Sequence, residues 1–243
     1  MTDFYDDLNL GRFQDNINSY GINSPESIDF KLNCYPFIYS HYDFSKLENG
    51  NKIILPKQIL QDLSKYTEIE YPLHFSINDS NILFTPAEFK DDIIDIFIPQ
   101  HFINILGIEV ASQIKLTFLN KKIPKGNKIK LKPHTSNFLD IMDHKHFLEN
   151  HLTKLYTTLS LGQTILIPKG DITILIDILE CSPSNTISII DTDLEVEFEA
   201  PWDYIEKPIN ENEKMEEEET FESCKKQFKM GKFNFSNNKI KHI

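Results

Sequence analysis

The chain has 243 residues, 40% apolar and 26% charged, enough to close one or two ordinary hydrophobic cores. Its 25 basic residues against 37 acidic ones leave a formal charge of −12, which opposes nucleic acid and anionic membrane surfaces, and Arg12 is the only arginine available for bidentate phosphate recognition. The three cysteines, Cys34, Cys181 and Cys224, form no CxxC pair, no secretory leader is evident, and no apolar run nears the ~20 residues of a membrane span. The expectation is a reduced, cytosolic or nuclear setting.

In chain order, the first informative feature is an internal repeat. Ile53-Ile54-Leu55-Pro56 followed by Ile59, Leu60 and Leu63 matches Ile96-Phe97-Ile98-Pro99 followed by Phe102, Ile103 and Leu106 at the same offsets. Each copy reads as a buried strand, a proline at the first turn of a helix where its missing N–H costs nothing, and an apolar helical stripe. Two such units predict a pseudo-twofold β-barrel. Lys121–Lys128, rich in Lys, Pro and Gly, predicts a boundary near 122.

The second unit opens with a strand at Ile129–Leu131. Asp143 is placed to cap a helix bearing Phe147, Leu148, Leu152, Leu155, Tyr156 and Leu159 at helical spacing, with Gly162 as its left-handed cap. Strands are expected at Gln163–Ile167, Ile172–Leu179, Thr186–Ile190 and Leu194–Phe198. Lys169-Gly170 reads as a hairpin turn and Ser182–Asn185 as another. This half is therefore α+β, one helix on antiparallel strands. Beyond it, residues 207–223 carry seven Glu and two Lys, and 224–243 carry six Lys and no acid, a pattern that predicts a tail disordered on its own.

Chemical constellations are scarce. Neither GxGxxG nor GxxxxGK[ST] occurs, and no serine sits in a nucleophile elbow. Cys34 and Cys181 lie in apolar runs and are expected to be inert core thiols. His144, His146 and His151 lack the i, i+4 spacing of a zinc pair and are expected on a solvated helix face, with His101 on the surface. Asp191-Thr192-Asp193 lacks the glycine of an aspartic-protease turn and reads as a turn between strands; Glu216–Glu219 lacks the alternating oxygens of a Ca²⁺ loop. No catalytic, cofactor or metal residue is assigned.

Five ordered segments carry a resemblance: Gly11-Arg12-Phe13, Gly50-Asn51-Lys52-Ile53-Ile54-Leu55-Pro56, Tyr71-Pro72-Leu73-His74-Phe75, Pro133-His134-Thr135-Ser136-Asn137-Phe138-Leu139-Asp140 and Phe198-Glu199-Ala200-Pro201. Over residues 10–206 the chain resembles the ubiquitin fusion degradation protein one family. The resemblance implies a double-psi β-barrel over 10–122, a smaller α/β roll over 123–206 and a flexible partner-binding tail over 207–243. It also implies a non-catalytic adaptor that binds polyubiquitin, pairs with the nuclear protein localization four subunit and delivers clients to the valosin-containing hexameric AAA ATPase, at the ER membrane only through partners.

Family tails carry short Phe/Gly motifs that dock on the ATPase. Here Phe228, Gly231, Phe233 and Phe235 are the candidates, although the second glycine and trailing leucine of such a motif are absent. Two other readings are an enzyme on the same barrel, since one fold hosts many functions, and nucleic-acid binding through the basic, phenylalanine-bearing tail. The net charge disfavours the latter, and the ubiquitin-contacting residues carry no motif by which to name them.

Overall fold

A computed structural model describes residues 22–23, 25–204 and 229–234. The first half comprises β1 Ile22–Asn23, β2 Ser27–Pro36, β3 Lys52–Pro56, α1 Lys57–Leu63, β4 Tyr66–Thr67, β5 His74–Ile77, β6 Leu83–Lys90, β7 Ile96–Ile98, α2 Gln100–Ile105 and β8 Gln113–Leu119. Six of these strands close a barrel in the order β2-β7-β3-β6-β5-β8, with β1 and β4 paired beside it. Alternation explains β8: Ile114, Leu116 and Phe118 point inward while Gln113 and Lys115 stay outside the core.

The repeat appears as β3–α1 and β7–α2. Pro56 and Pro99 adopt nearly the same backbone, φ −59°, ψ 139° and φ −58°, ψ 140°. They stand one residue earlier than the expected first helical turn, as the residues that cap each helix. Helices this short are held by burial of Ile59 and Leu63 in one, Phe102 and Ile103 in the other. The repeat strands meet where Ile54 pairs with Phe97. Ile53 and Leu55 face the barrel interior, whereas Ile54 joins Phe37, Phe44 and Ile93 in a small separate core.

The second half comprises β9 Lys128–Pro133, α3 His144–Leu155, β10 Thr158–Ser160, β11 Thr164–Lys169, β12 Ile172–Ser182, β13 Thr186–Ser188, β14 Asp193–Phe198 and β15 Lys229–Asn234. Its main sheet runs β11-β12-β9-β14-β15, with β10 and β13 forming a separate pair. Leu148, Leu152 and Leu155 of α3 pack with Ile129, Leu131, Ile165, Ile174, Ile176 and Val196 in a core distinct from that of the barrel.

Several expectations are corrected. The helix stops at Leu155, because Tyr156 turns extended and Thr157-Thr158 lead into a strand. Gly162 is therefore not its cap; it takes φ +77° in the turn from β10 to β11, a conformation that favours glycine. The tail is not without structure where it is described: Lys229–Asn234 forms a strand antiparallel to β14.

Candidate functional site

Two of the five motif segments meet where the halves join. Gly50 lies so close to α3 that a Cβ there would stand 2.2 Å from the Leu155 carbonyl oxygen, which only glycine tolerates. The next residue, Asn51, is fully buried. Its amide donates to the Leu83 carbonyl at 2.9 Å and the Thr158 carbonyl at 3.2 Å, and its carbonyl oxygen accepts from the Thr157 N–H at 3.3 Å. Alongside, Tyr156 donates to the Asn49 carbonyl at 2.6 Å, Lys52 to the Lys154 carbonyl at 2.6 Å, and Thr85 and Thr157 share a hydrogen bond of 2.6 Å. His74, from the third segment, is buried near Thr85, and burial pushes its pKa down to about 4. Beside the junction an open cleft of about 560 Å³ is lined by Asn81, Thr117, Lys122 and Asn185.

The last two segments also meet. Phe138, in the short turn after β9, is fully buried, with its ring 5.1 Å from that of Phe198 and 4.6 Å from that of His144. Trp202 donates its backbone N–H to the Pro133 carbonyl and its indole N–H to Asp177, while Lys132 lies 3.5 Å over the indole ring. Burial raises the Asp177 pKa, but hydrogen bonds from Thr164, His134 and Trp202 outweigh it and hold the carboxyl below its usual range. These four segments thus build corners and contacts of the fold. Gly11–Phe13 lies outside the described residues.

The most exposed aliphatic side chains of the barrel half lie on two of its loops. Ile38 is 82% exposed and Ile94 81%, with Tyr39 also outward. Isolated exposed apolar residues are ordinary, but these stand on two loops tied to each other. Tyr42 donates to Asp92 at 2.5 Å and His41 lies 3.2 Å from the same carboxylate, which joins the loop after β2 to the loop before β7. Beneath them lies the small core of Phe37, Phe44, Ile54 and Ile93. The hydrogen bond from Tyr42 holds the Asp92 pKa below the usual carboxylate range and raises the tyrosine's own. The acids of this region are engaged locally: Asp92 holds Tyr42 and His41, Asp95 accepts from Asn33, Asp91 pairs with Lys57 and Glu88 with Lys90. The result is a set of exposed apolar side chains on two joined loops that also carry Asp43, Asp91 and Asp92.

The remaining candidates fall into place one by one. Burial raises the Cys34 thiol to about 12 and the Cys181 thiol to about 11, the environment of inert thiols. His146 is exposed, but His144 and His151 are half-buried and bonded to the Phe138 and Phe147 carbonyls rather than solvated. His101 is not a surface residue either. Its ring packs on Phe102 and both nitrogens are buried without a well-formed hydrogen bond, and desolvation pushes its pKa down to about 4. Asp191 and Thr192 form the turn leading into β14. Among the described residues no cluster of three or more His, Cys, Asp or Glu is placed to hold a metal, and no helix is long and apolar enough to cross a membrane.

Of the tail candidates, Phe228 and Phe235 lie outside the described residues. Gly231 and Phe233 lie on β15, and Phe233 is fully buried, so that ring is not free for an external partner in this arrangement. Sequence reasoning missed this burial, as it missed Asn51 and the barrel patch. The signal for β15 was a basic block carrying Lys229, Lys232 and Phe233, opposite in charge to the acids that alternate along β14.

A closed six-stranded barrel joined to an α/β half, with the motif segments at the corners and junction, defines a two-part domain. Matching the two halves in turn, the family model described as Ubiquitin fusion degradation protein UFD1, N-terminal subdomain 1, covers residues 28–122, and that for N-terminal subdomain 2 covers 125–201. The chain belongs to this family.

Among curated relatives, Ubiquitin fusion degradation protein 1 homolog of Dictyostelium discoideum is 31% identical over 74% of this chain and 54% of its own length. Ubiquitin fusion degradation protein 1 of Saccharomyces cerevisiae is 32% identical over 76% of this chain and 53% of its own. Ubiquitin recognition factor in ER-associated degradation protein 1 of Mus musculus is 30% identical over 72% and 58%. The chain thus spans a little over half the length of these relatives.

Proposed function

We propose that this protein is a non-catalytic adaptor that binds ubiquitin chains. With a nuclear protein localization four partner, it would recruit ubiquitylated proteins to the valosin-containing AAA ATPase for unfolding and degradation, including degradation associated with the ER. Membership of the family across both halves carries the reading, together with relatives whose names specify ubiquitin fusion degradation and ubiquitin recognition. The exposed side chains of Ile38, Tyr39 and Ile94, on loops that carry Asp91 and Asp92, support it, because ubiquitin presents a small apolar patch surrounded by basic residues. Opposite potentials speed encounter, while the apolar contact holds the complex.

The test is an NMR titration of the full chain with ubiquitin and with linked chains at two salt concentrations. Saturable binding is expected, tighter for chains and weakened severalfold as salt rises from 50 to about 300 mM. Ile94→Asp should weaken it about tenfold or more with the fold intact, by placing a charge in the apolar contact. A folded, monomeric protein that binds neither ubiquitin nor its chains would end the proposal; binding that leaves Ile38, Tyr39 and Ile94 unperturbed would end the assignment to this patch.

A further inference from the structure

The sheet of the second half is completed by a strand that comes from far along the chain. β14 pairs on one side with β9 in parallel and on the other with β15, antiparallel, with Leu194 opposite Phe233. Without β15, β14 would be an edge strand presenting unpaired backbone groups. Phe233 has no exposed surface and belongs to the core cluster that includes Leu148, Leu152, Leu194 and Val196, with the Lys145 ammonium 6.0 Å from its ring centroid. An aromatic ring from the tail therefore finishes a core whose other members all lie before residue 199.

Charge fits the same arrangement. Asp193, Glu195 and Glu197 alternate with the inward Leu194 and Val196 along β14. The register sets Lys232 opposite Glu195 and Lys229 opposite Glu197. The block 224–243 carries six lysines and no acid, so the most basic stretch of an acidic protein is the one laid on an acidic strand. Residues 205–228, roughly 80 Å when extended, are long enough to reach any point of the half they return to.

We infer that the β14 edge, with the core position that takes Phe233, is a strand-docking site for a basic, phenylalanine-bearing segment, occupied in cis by Lys229–Asn234 of this chain. Main-chain pairing supplies the register, Phe233 the anchor, and the lysines an electrostatic component. The occupant is withheld from other partners while it is docked. Its exposure elsewhere requires this strand to leave, which makes the contact a self-occupied site that a competing partner must open. The inference stands apart from the ubiquitin reading, since it concerns a different surface.

Amide exchange on the full chain reads it directly. The Glu195 N–H donates to the Asn127 carbonyl on the β9 side, so the neighbouring Leu194 N–H faces β15. In the wild type the Leu194 amide should exchange slowly. Phe233→Ala should speed it by about tenfold or more, with the Ile176 amide in the sheet interior much less affected. Because Phe233→Ala also empties a core position, a second variant, Lys229→Glu with Lys232→Glu, keeps the ring and reverses only the charge. It should loosen Leu194 severalfold, and high salt should do the same to the wild type.

A peptide of residues 225–237 added to the Phe233→Ala chain should restore Leu194 protection, where a scrambled peptide does not. The inference is overturned if Leu194 exchanges at the same rate in the wild type and both variants, or if the peptide protects nothing. It is equally overturned if protection grows with protein concentration alongside a dimer, which would mean that a second copy supplies the strand.

Discussion

Gly50 shows how much one absent side chain can decide. Its backbone lies against the Leu155 carbonyl, and a methyl group would stand 2.2 Å from that oxygen, with backbone rather than a flexible side chain as the obstacle. Gly50→Ala should therefore cost about 2–3 kcal/mol, read as a lower urea midpoint at unchanged slope. Two histidines make a second residue-scale prediction. His74 and His101 are held neutral by burial, with folded pKa values near 4 against an ordinary 6.5. As pH falls below 6.5 the unfolded chain takes up protons that the folded chain refuses, so stability is full above about pH 7, declines between 6.5 and 4, and flattens below 4. Each contributes at most about 3 kcal/mol to that decline. Urea unfolding at pH 7, 5.5 and 4 should show it, and His101→Phe should remove part of the slope; a slope unchanged in that variant would mean that exposed carboxylates alone cause it. Neither site was legible in the sequence. A buried histidine and a surface one differ only in what folds over them, and His101 lies within a helix of ordinary pattern.

At the scale of elements the sequence was more informative. The repeat gave both strand-proline-helix units because their apolar offsets and prolines are local signals, and they fold into the same backbone twice. The end of α3 was not legible, since Tyr156 and Leu159 continue the helical spacing while belonging to an extended connection and to β10. Their burial comes from the core of the second half, not from the helix. The same tertiary context separates Ile54 from its neighbours in β3, placing it with Phe37, Phe44 and Ile93 under the joined loops instead of inside the barrel. Ile54→Asp should cost more than about 4 kcal/mol by burying an unpaired charge, whereas Pro56→Ala, at a helix-capping position, should cost under about 1 kcal/mol. Thermal unfolding of the two variants checks this pair. Equal, small shifts would remove Ile54 from the core. Ile54 also supports the Phe37–Phe44 loop, so a milder change such as Ile54→Ala should lower stability and, under the proposed function, weaken the ubiquitin binding assigned to the patch.

Across the whole molecule the question is whether the two cores behave as one. They are separate apolar clusters, and a barrel and an α/β half joined only by a linker would unfold independently. The junction argues otherwise, because its polar groups are buried and shared: Asn51 belongs to the barrel chain, yet its side chain satisfies a barrel carbonyl and the backbone of Thr157 and Thr158 together. Removing the amide takes the acceptor from the Thr157 N–H and a donor from each of the Leu83 and Thr158 carbonyls, although Leu83 keeps the Thr158 hydroxyl, at a cost of about 3 kcal/mol. The single tryptophan, Trp202, lies in the second half and reports on it alone, whereas circular dichroism reports on all the strands. In the wild type the two signals should follow one urea transition. In Asn51→Ala the Trp202 midpoint should fall although the substitution lies in the barrel, because the stability of the second half includes the shared hydrogen bonds. If only the dichroism moves and the tryptophan midpoint stays, the halves are independent and the junction aligns them without coupling them.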